Sequence, residues 1–450
     1  MLNKKSVLAS SFQFGEKLFL GLITTALIWV LIYGIIIKFT IHNQILFEVK
    51  TLVPEILLMA ACVTAIISRL TGSFKPIRII LLCAICAVMA IGFALDNFSN
   101  AAIVVRDVLI PVLAFAVFAS MRPSEHFSHS LMHILTIVFL VYVIASIALY
   151  AIEAYMGYEW TARFYTGYVF WGQDPISKIA INSNGSAMRL PGLTGASVKS
   201  AIGGLAALVV FLSNNRLRGI GKVTACVLAL LCIYLFNNRG SLFAAVVILL
   251  IAVINHLEKS GSTKLFLGIL AVLMLIIAVI VLQQSSGALS LHSAFQRFNN
   301  WGELLSSQGF WNIILPSNVY SFSSGGEGLD GVSLSTSWDN AILYLLFGFG
   351  LPVALLFIVD IVGSWKETKS IGLNLDLGFG KIIQYSIVAT LILGLSTNIF
   401  QGRSWYFLFV VIAGISLACI SNSSKEGRRL NRASDDSSSK YGLLHRTEVG

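Results

Sequence analysis

Charge is the scarcest component of this chain. Only 12% of its 450 residues are Asp, Glu, Lys or Arg, whereas 56% are hydrophobic and the mean hydropathy is +0.83. A soluble protein of this length carries about 25% charged residues, so the composition excludes an ordinary soluble domain. The apolar runs are about as long as the roughly 20 residues that a membrane-spanning helix needs. Short alternating segments typical of a β-barrel do not dominate, and we expect an all-α polytopic membrane protein.

The sequence also lacks the patterns of several enzyme classes. It has no His/Cys/Asp cluster with metal-ligand spacing, no DxD pair on an outer loop, no Walker loop, no Rossmann fingerprint and no lipase elbow. All six cysteines lie inside apolar runs, where they behave as small hydrophobes. We therefore expect no metal, no cofactor and no disulfide framework.

The apolar runs predict about twelve transmembrane helices. The first run is too long for the hydrophobic region of a signal peptide and is expected to be retained. The predicted spans are Leu18–Lys38, Thr51–Ser68, Ile77–Leu95, Ala101–Ser120, Leu131–Ala151, Val198–Ser213, Lys222–Phe236, Gly240–Asn255, Lys264–Gln283, Asp339–Val362, Ile382–Ile399 and Ser404–Ile420.

The charges between these spans predict the orientation. With both termini in the cytoplasm, most of the 31 Lys and Arg residues fall in short inner segments, as the positive-inside rule requires. The net charge of +10 thus reports membrane orientation rather than nucleic-acid binding. Residues 1–420 are expected to form one transmembrane domain. Residues 421–450 are expected to form a disordered, basic and Ser-rich cytoplasmic tail that lies against anionic membrane lipid.

Two long segments fall on the outer side, at about 153–197 and 285–338. Both are rich in aromatic residues, which disordered segments are not. We expect both to fold over the outer face, partly as interfacial helices. Their rings form either an ordinary aromatic belt at the headgroup level or a cleft that stacks against sugars, and the sequence leaves both open.

Six arginines lie at or just inside this outer face, against the positive-inside bias. Arginine at membrane depth usually faces a cavity, a partner or a substrate, and its planar fork suits phosphate groups. The cluster therefore predicts a phosphate-bearing ligand outside the bilayer. The six are Arg106, Arg163, Arg189, Arg239, Arg297 and Arg403.

Two of these arginines stand in motifs that point to anion binding. Arg189 opens Arg-Leu-Pro-Gly-Leu-Thr-Gly, a glycine-rich turn that leads into the sixth predicted span, and Lys199 follows within that span. The N-terminus of a helix binds anions through its dipole and free amides. Arg239 lies in Asn-Asn-Arg-Gly-Ser, the hairpin between the seventh and eighth spans. The alternative for all three is a cation that snorkels to the interface.

A third motif begins the tenth predicted span. Asp339 and Asn340 precede Tyr344, Gly348 and Gly350. Asp339 is either a base at the head of a cavity or an ordinary acid in the first turn of a helix. Arg106 and Asp107 are expected to form a structural ion pair, and Arg403 could complete a ring of cations from the last outer hairpin.

The order of these motifs resembles the polysaccharide polymerase and ligase superfamily of bacterial envelopes. Its two arms are the Wzy-type O-antigen polymerases and the WaaL-type O-antigen ligases. The resemblance covers most of the chain and rests on the span count, the two large outer loops and the motifs around Arg189, Arg239 and Asp339. Ligases place a histidine just before the span that opens with the Asn motif, but here Trp338 and Asp339 precede Asn340. This departure favours a polymerase.

The resemblance implies substrates and site residues. The substrates are undecaprenyl-pyrophosphate-linked oligosaccharides at the periplasmic face of the bacterial inner membrane, and a chain-length regulator and a flippase are candidate protein partners. Arg239 and Arg189 would stabilise the pyrophosphate leaving group. From the residues alone, one outer carboxylate would take the acceptor proton in a metal-independent, inverting transfer; Asp339 is our candidate, and Asp174, Glu303, Glu327 and Asp330 stay open. The further substrate-binding candidates are Arg163, Lys199, Arg297, Asn340, Tyr344 and Arg403.

Two alternatives remain. One is an O-antigen ligase that transfers glycan to the lipid A core, which a requirement for His292, the lone outer histidine, would favour. The other is a lipid-linked oligosaccharide flippase or transporter. The nearly bare span centres and the lack of an internal repeat disfavour that class, and Asp360 is expected near the inner end of its span.

Overall fold

The protein is almost entirely helical over the residues that the structure describes. This computed structural model describes residues 4–40, 44–95, 105–164, 190–236, 238–257, 341–370, 378–396 and 407–421, with a few isolated positions between 299 and 314. Across these ranges no strand occurs, and the one extended contact is an isolated bridge between Thr71 and Met121. Helices satisfy their own backbone hydrogen bonds, which apolar surroundings require.

The helices follow the predicted spans closely. The predicted span Lys264–Gln283 lies outside the described residues, and the described part of every other predicted span is helical apart from a residue or two at some ends and the break between α1 and α2. In chain order they are α1 Lys4–Leu31, α2 Tyr33–Thr40, α3 Gln44–Ile67, α4 Pro76–Leu95, α5 Ile110–Ala119, α6 Glu125–Phe164, α7 Ser197–Ser213, α8 Gly219–Leu235, α9 Arg239–Leu257, α10 Ala341–Tyr344, α11 Gly350–Ser370, α12 Phe379–Ser396 and α13 Leu408–Ser421.

Several helices run beyond the predicted boundaries. α6 continues past the predicted end at Ala151 to Phe164, with a kink at Gly157, whose φ is +81°. α11 continues past Val362 to Ser370, so Asp360 lies well inside the helix rather than near its end. The predicted boundaries followed hydropathy alone, whereas α6 and α11 continue through turns that contain charged residues.

Three helical stretches are long and apolar enough to cross a membrane: Phe12–Leu31, Glu125–Gly157 and Ala341–Thr368. The other apolar helices among the described residues are shorter. Long apolar helices of this kind identify the chain as a membrane protein.

α7 lies at the centre of the bundle. It packs against α6, α8, α9 and α12, and most of its side chains are buried. Two of its glycines allow this close packing, because a Cβ on Gly203 would lie 2.4 Å from the Tyr142 hydroxyl and one on Gly204 would lie 3.1 Å from Ile233. Small residues commonly allow such approach between membrane helices.

Three π-helical turns interrupt the regular helices. They are Val105–Leu109 before α5, Leu345–Phe349 between α10 and α11, and Phe407–Val411 at the start of α13. Turns of this kind are rare and frequently lie at functional sites.

Candidate functional site

The polar loops of the bundle divide between two ends. We call the end formed by residues 68–78, 120–129, 213–222, 364–370 and 378–381 the basic end. We call the end formed by residues 33–34, 150–153, 190–200, 236 and 238–239 the turn end. α6 and α8 run from the basic end to the turn end, and α7 runs back between them.

Hydrogen bonds hold the basic end together across distant parts of the sequence. Gly72 N donates to Ser120 O at 2.7 Å, and Arg122 N donates to Leu70 O at 2.7 Å. Lys381 Nζ donates to Asn215 Oδ1 at 3.2 Å. These contacts join, in two pairs, four loops that the sequence assigns to the inner side.

Glu16 ties α1 to the same end. Its carboxylate accepts hydrogen bonds from the backbone N–H of Ser124 at 2.6 Å and from the Ser124 hydroxyl at 2.7 Å. Arg216 contacts His129 beside this segment. Direct polar contacts therefore connect five of the predicted inner segments.

Two ion pairs join α4 to α11 at the basic end. Arg78 Nε donates to Asp360 Oδ1 at 3.2 Å, and both residues are buried. Lys75 pairs with Glu367 nearer the surface. Burial and the neighbouring Arg78 charge lower the pKa of Lys75 to about 8, and Asp360 opposes this shift.

The turn end is organised by residues 190–196, which we call the glycine turn. Gly192 and Gly195 have φ values of +63° and +77°, a region that glycine adopts without strain. Leu190 is completely buried, Thr194 Oγ1 lies 2.8 Å from Ser200 Oγ, and Ser200 Oγ donates to Pro191 O at 3.0 Å. The turn is therefore fixed against the first turn of α7 that follows it.

α2 contacts the glycine turn directly, and α6 holds the start of α7 beside it. Gly34 N of α2 donates to Leu193 O at 2.9 Å, and a Cβ on Gly34 would lie 2.1 Å from Gly195 N. Tyr142 of α6 donates its hydroxyl hydrogen to Ser200 O at 3.0 Å. These approaches leave the turn little room to move.

Glu153 is the acid of the turn end that the sequence reasoning missed. It is fully buried, and its carboxylate accepts a hydrogen bond from Gly192 N at 3.3 Å. It was placed at the start of an outer loop and was not considered as a functional residue. A lone acid at the end of a long apolar run is the signal that could have found it, because ionisable residues at membrane depth are usually functional.

Phe236 joins the glycine turn to the hairpin of Arg239. Its ring lies 5.5 Å from the Tyr150 ring in an edge-to-face arrangement, and a Cβ on Gly192 would lie 2.5 Å from Phe236 Cε1. Three residues later Arg239 begins α9, and Asn238 Oδ1 caps that helix by accepting from Ser241 N at 2.8 Å. The segment that follows Arg189 and the segment that contains Arg239 are thus neighbours.

Lys199 lies in the first turn of α7, beside the glycine turn. Its ammonium is 5.9 Å from the centre of the Tyr33 ring, close enough for a cation–π interaction. Ala196, which precedes α7, provides no side-chain cap, so the first amides of the helix are not occupied by a capping side chain. An uncapped helix start with an adjacent lysine can attract an anion.

The structure places only some of the predicted site residues. Arg239, Lys199 and Tyr344 are described, and Arg163 lies on α6 with its side chain outside the described part. Tyr344 is buried, 2% exposed, with its ring 5.9 Å from that of Phe349. The predicted residues that lie outside the described residues are Arg189, Arg297, Asp339, Asn340 and Arg403.

Asp107 lies close to the segment that follows the predicted Asp339 motif. It is buried in the π-helical turn before α5, and it interacts electrostatically with Tyr344. The side chain of Arg106 lies outside the described part, so the ion pair expected between Arg106 and Asp107 stays a prediction. The π-helical turns before α5 and after α10 therefore approach each other.

The comparisons with known proteins add no relative. No family model matches the sequence, and no curated protein is similar enough to it to count as one.

Proposed function

We propose that this chain is a polysaccharide polymerase of the bacterial inner membrane. It would join oligosaccharide repeat units carried on undecaprenyl pyrophosphate at the periplasmic face, to make an O-antigen, capsule or exopolysaccharide. In this proposal the chain crosses the membrane about twelve times, with both termini and the basic end in the cytoplasm and the turn end in the periplasm.

One observation carries the proposal. Phe236 brings the glycine turn that follows Arg189 against the hairpin of Arg239, at the end of the bundle opposite the basic loops. Two arginines far apart in sequence are thereby attached to neighbouring segments, with Lys199 and the start of α7 beside them. This arrangement supports a site for a doubly phosphorylated group.

The proposed reaction is a single displacement at the anomeric carbon. The acceptor hydroxyl oxygen forms a bond to that carbon while the bond from the carbon to the pyrophosphate oxygen breaks. The lipid pyrophosphate leaves with the bonding electron pair, and a carboxylate, with Asp339 as the candidate, takes the acceptor proton. Arg239, Arg189 and Lys199 stabilise the negative charge that develops on the leaving group.

Lys199 and Arg239 differ in what they can offer. The guanidinium of Arg239 donates two parallel hydrogen bonds to phosphate oxygens, whereas the ammonium of Lys199 acts as a point charge. We expect Arg239→Ala to lower chain growth by about a hundredfold or more, the usual cost of losing one stabilising donor. Arg239→Lys should recover little of this loss.

The experiment measures glycan length in cells that lack the protein and carry each variant. A polymerase defect leaves single repeats on the lipid or on the lipid A core. Arg218→Ala is the matched control, because Arg218 is an exposed arginine that precedes α8 at the basic end. Normal chain length in cells with Arg239→Ala would exclude this site.

The two alternatives give different glycan patterns. A ligase defect leaves long chains on the lipid carrier, and His292, on which that alternative depends, lies outside the described residues. A flippase defect traps repeats in the cytoplasm. One observation favours this second alternative: Asp360 is buried within a candidate span beside Arg78, and buried charges inside the membrane often belong to transport pathways.

A further inference from the structure

A narrow apolar cavity lies between α11 and α12, with α5 and α13 closing its other sides. Its volume is about 270 Å³, and its walls are almost wholly hydrocarbon. On α12 it extends from Ile383 to Gly394, which is about 16 Å along a helix. The cavity is therefore long and thin, a shape that suits a single hydrocarbon chain rather than a compact ligand.

The cavity opens toward the surroundings of the bundle. Three of its wall residues are large and exposed: Ile342, Ile358 and Leu391 have 47%, 53% and 47% of their surface accessible. These side chains lie on helices that the composition places in a membrane. A chain can thus enter sideways from the lipid bilayer.

Polar groups lie on the cavity wall toward the basic end. Ser364 of α11 and Ser386 of α12 are 4% and 3% exposed and line the cavity. Neither hydroxyl has a hydrogen-bond partner within the described part of the chain. Gln384 Nε2 donates to Thr368 Oγ1 at 3.1 Å, which fixes the register of the two helices and brings the two serines to a similar level.

The other polar wall residues are already engaged. Asp360 accepts from Arg78 Nε at 3.2 Å, and the Thr390 hydroxyl donates to Ser386 O at 2.6 Å. Arg78 Nη2, behind the wall, is also buried without a partner among the described residues. Because an unsatisfied buried donor is costly, this level of the cavity favours a ligand that carries acceptor oxygens.

We propose that the cavity binds one acyl chain of a bilayer glycerophospholipid, whose ester carbonyl accepts hydrogen bonds from Ser364 and Ser386. In a glycerophospholipid the ester oxygen lies between the polar headgroup and the apolar chain. The cavity has the same order from the basic end inward: basic residues, then the two serines, then apolar walls. The headgroup then falls near Lys75 and the exposed Lys366. Water could satisfy the two hydroxyls, but it would not fill the remaining apolar length.

An isoprenoid chain fits the cavity less well. It has no acceptor oxygen along its length, so it would leave both serines unsatisfied. In the function proposed above its pyrophosphate would also lie at the turn end, opposite the two serines. The acyl-chain site therefore stands independently of the polymerase proposal.

The test is native mass spectrometry of the full chain in mild detergent, with extraction and quantification of bound lipid. The wild type should retain about one glycerophospholipid per chain. Ser364→Ala with Ser386→Ala should lower this occupancy by about tenfold, since two hydrogen bonds are lost. Ser364→Thr, which keeps a hydroxyl, should retain it.

Two further variants separate the cavity from general effects on folding. Ala354→Phe places a ring in the cavity and should remove the lipid, whereas Ala148→Phe, on an exposed face of α6, should not. Ser416→Ala is the matched serine control, because Ser416 is buried with an unpartnered hydroxyl outside the cavity wall. Equal occupancy in all variants, a wild type without phospholipid, or recovery of an isoprenoid lipid instead would overturn the proposal.

Discussion

The two ends of this bundle are built from different interactions. At the basic end, ion pairs between side chains connect the helices, as in Arg78–Asp360 and Lys75–Glu367. Backbone hydrogen bonds connect the loops of the same end. The turn end is joined by close backbone approach, as where Gly34 meets Gly195 and where Gly192 meets Phe236. The charged groups of the basic end are therefore largely engaged in holding loops together. At the turn end the segments are held by close contacts of glycine residues, and Lys199 lies beside these contacts.

The strongest test of the difference between the two ends is whether they lie on opposite sides of the membrane. Tyr155, near the turn end of α6, and Ile220, at the start of α8, are 89% and 86% exposed. In a variant with its six cysteines replaced, Tyr155→Cys should react with an impermeant maleimide in spheroplasts. Ile220→Cys should react only after the membrane is permeabilised. Labelling of both from the same side would contradict the proposed orientation.

The next largest effect is expected from the buried ion pair. Arg78 and Asp360 have side-chain exposures of 3% and 11%, so removing one partner leaves a buried charge. We expect Asp360→Ala to lower the free energy of unfolding by about 3–5 kcal/mol, as a drop in the thermal midpoint in detergent. Lys75→Ala breaks a pair whose side chains are 39% and 33% exposed, and it should cost about 1 kcal/mol or less.

An apolar pair at the same positions tests the cause. Arg78→Met with Asp360→Leu removes both charges and should restore much of the lost stability. A double variant that is less stable than Asp360→Ala alone would show that the two residues do not act as a pair.

A smaller effect is expected at the turn end from added volume. Gly34→Ala forces the glycine turn away from α2, because the new methyl would meet Gly195 N. Overpacking of this kind costs about 1–3 kcal/mol, and it should also lower chain growth by displacing the turn. Gly21→Ala on α1 is the control, since nothing lies within 4 Å of its added Cβ. A Gly34→Ala protein that matches Gly21→Ala in both measurements would show that this approach is not tight.

A further modest effect is expected at Glu153. Glu153→Ala leaves the buried N–H of Gly192 without its carboxylate acceptor, and we expect a loss of about 1–2 kcal/mol in the free energy of unfolding. Glu153→Gln keeps an amide oxygen at the same place and should recover most of that stability. If Gln behaves like Ala, the negative charge rather than the hydrogen bond is what the turn end requires.

The sequence predicted the helical class and most helix positions because hydropathy reports burial in lipid directly. It also predicted that the glycine turn and the Arg239 hairpin share one end of the bundle, since loop charges order the spans. It did not predict the role of Glu153, which reads as an ordinary loop acid until α6 is seen to extend beyond it. The burial of Tyr344 against Phe349 was also hidden, because the π-helical turn between them moves Phe349 away from its position in a regular helix.

The pair between Arg78 and Asp360 shows the limit of local reasoning. The residues are 282 positions apart, and neither has a sequence signal that names the other. Asp360 was expected near the end of a span because the predicted helix stopped at Val362. The additional helical turns of α11 place it in the interior, where a partner is required.

The π-helical turns carry a consequence for the architecture. Each holds one more residue per hydrogen-bonded ring than the regular helix around it, so it behaves as a tolerated insertion. Deleting one residue from Leu345–Phe349 would remove the π-helical turn and rotate α10 by about 100° relative to Gly350, whose φ is +81° at the start of α11. The face of α10 that carries Tyr344 would then pack against a different neighbouring helix, without a change in the packing of α11. The loss of a single codon would thus change which face of α10 packs against the bundle.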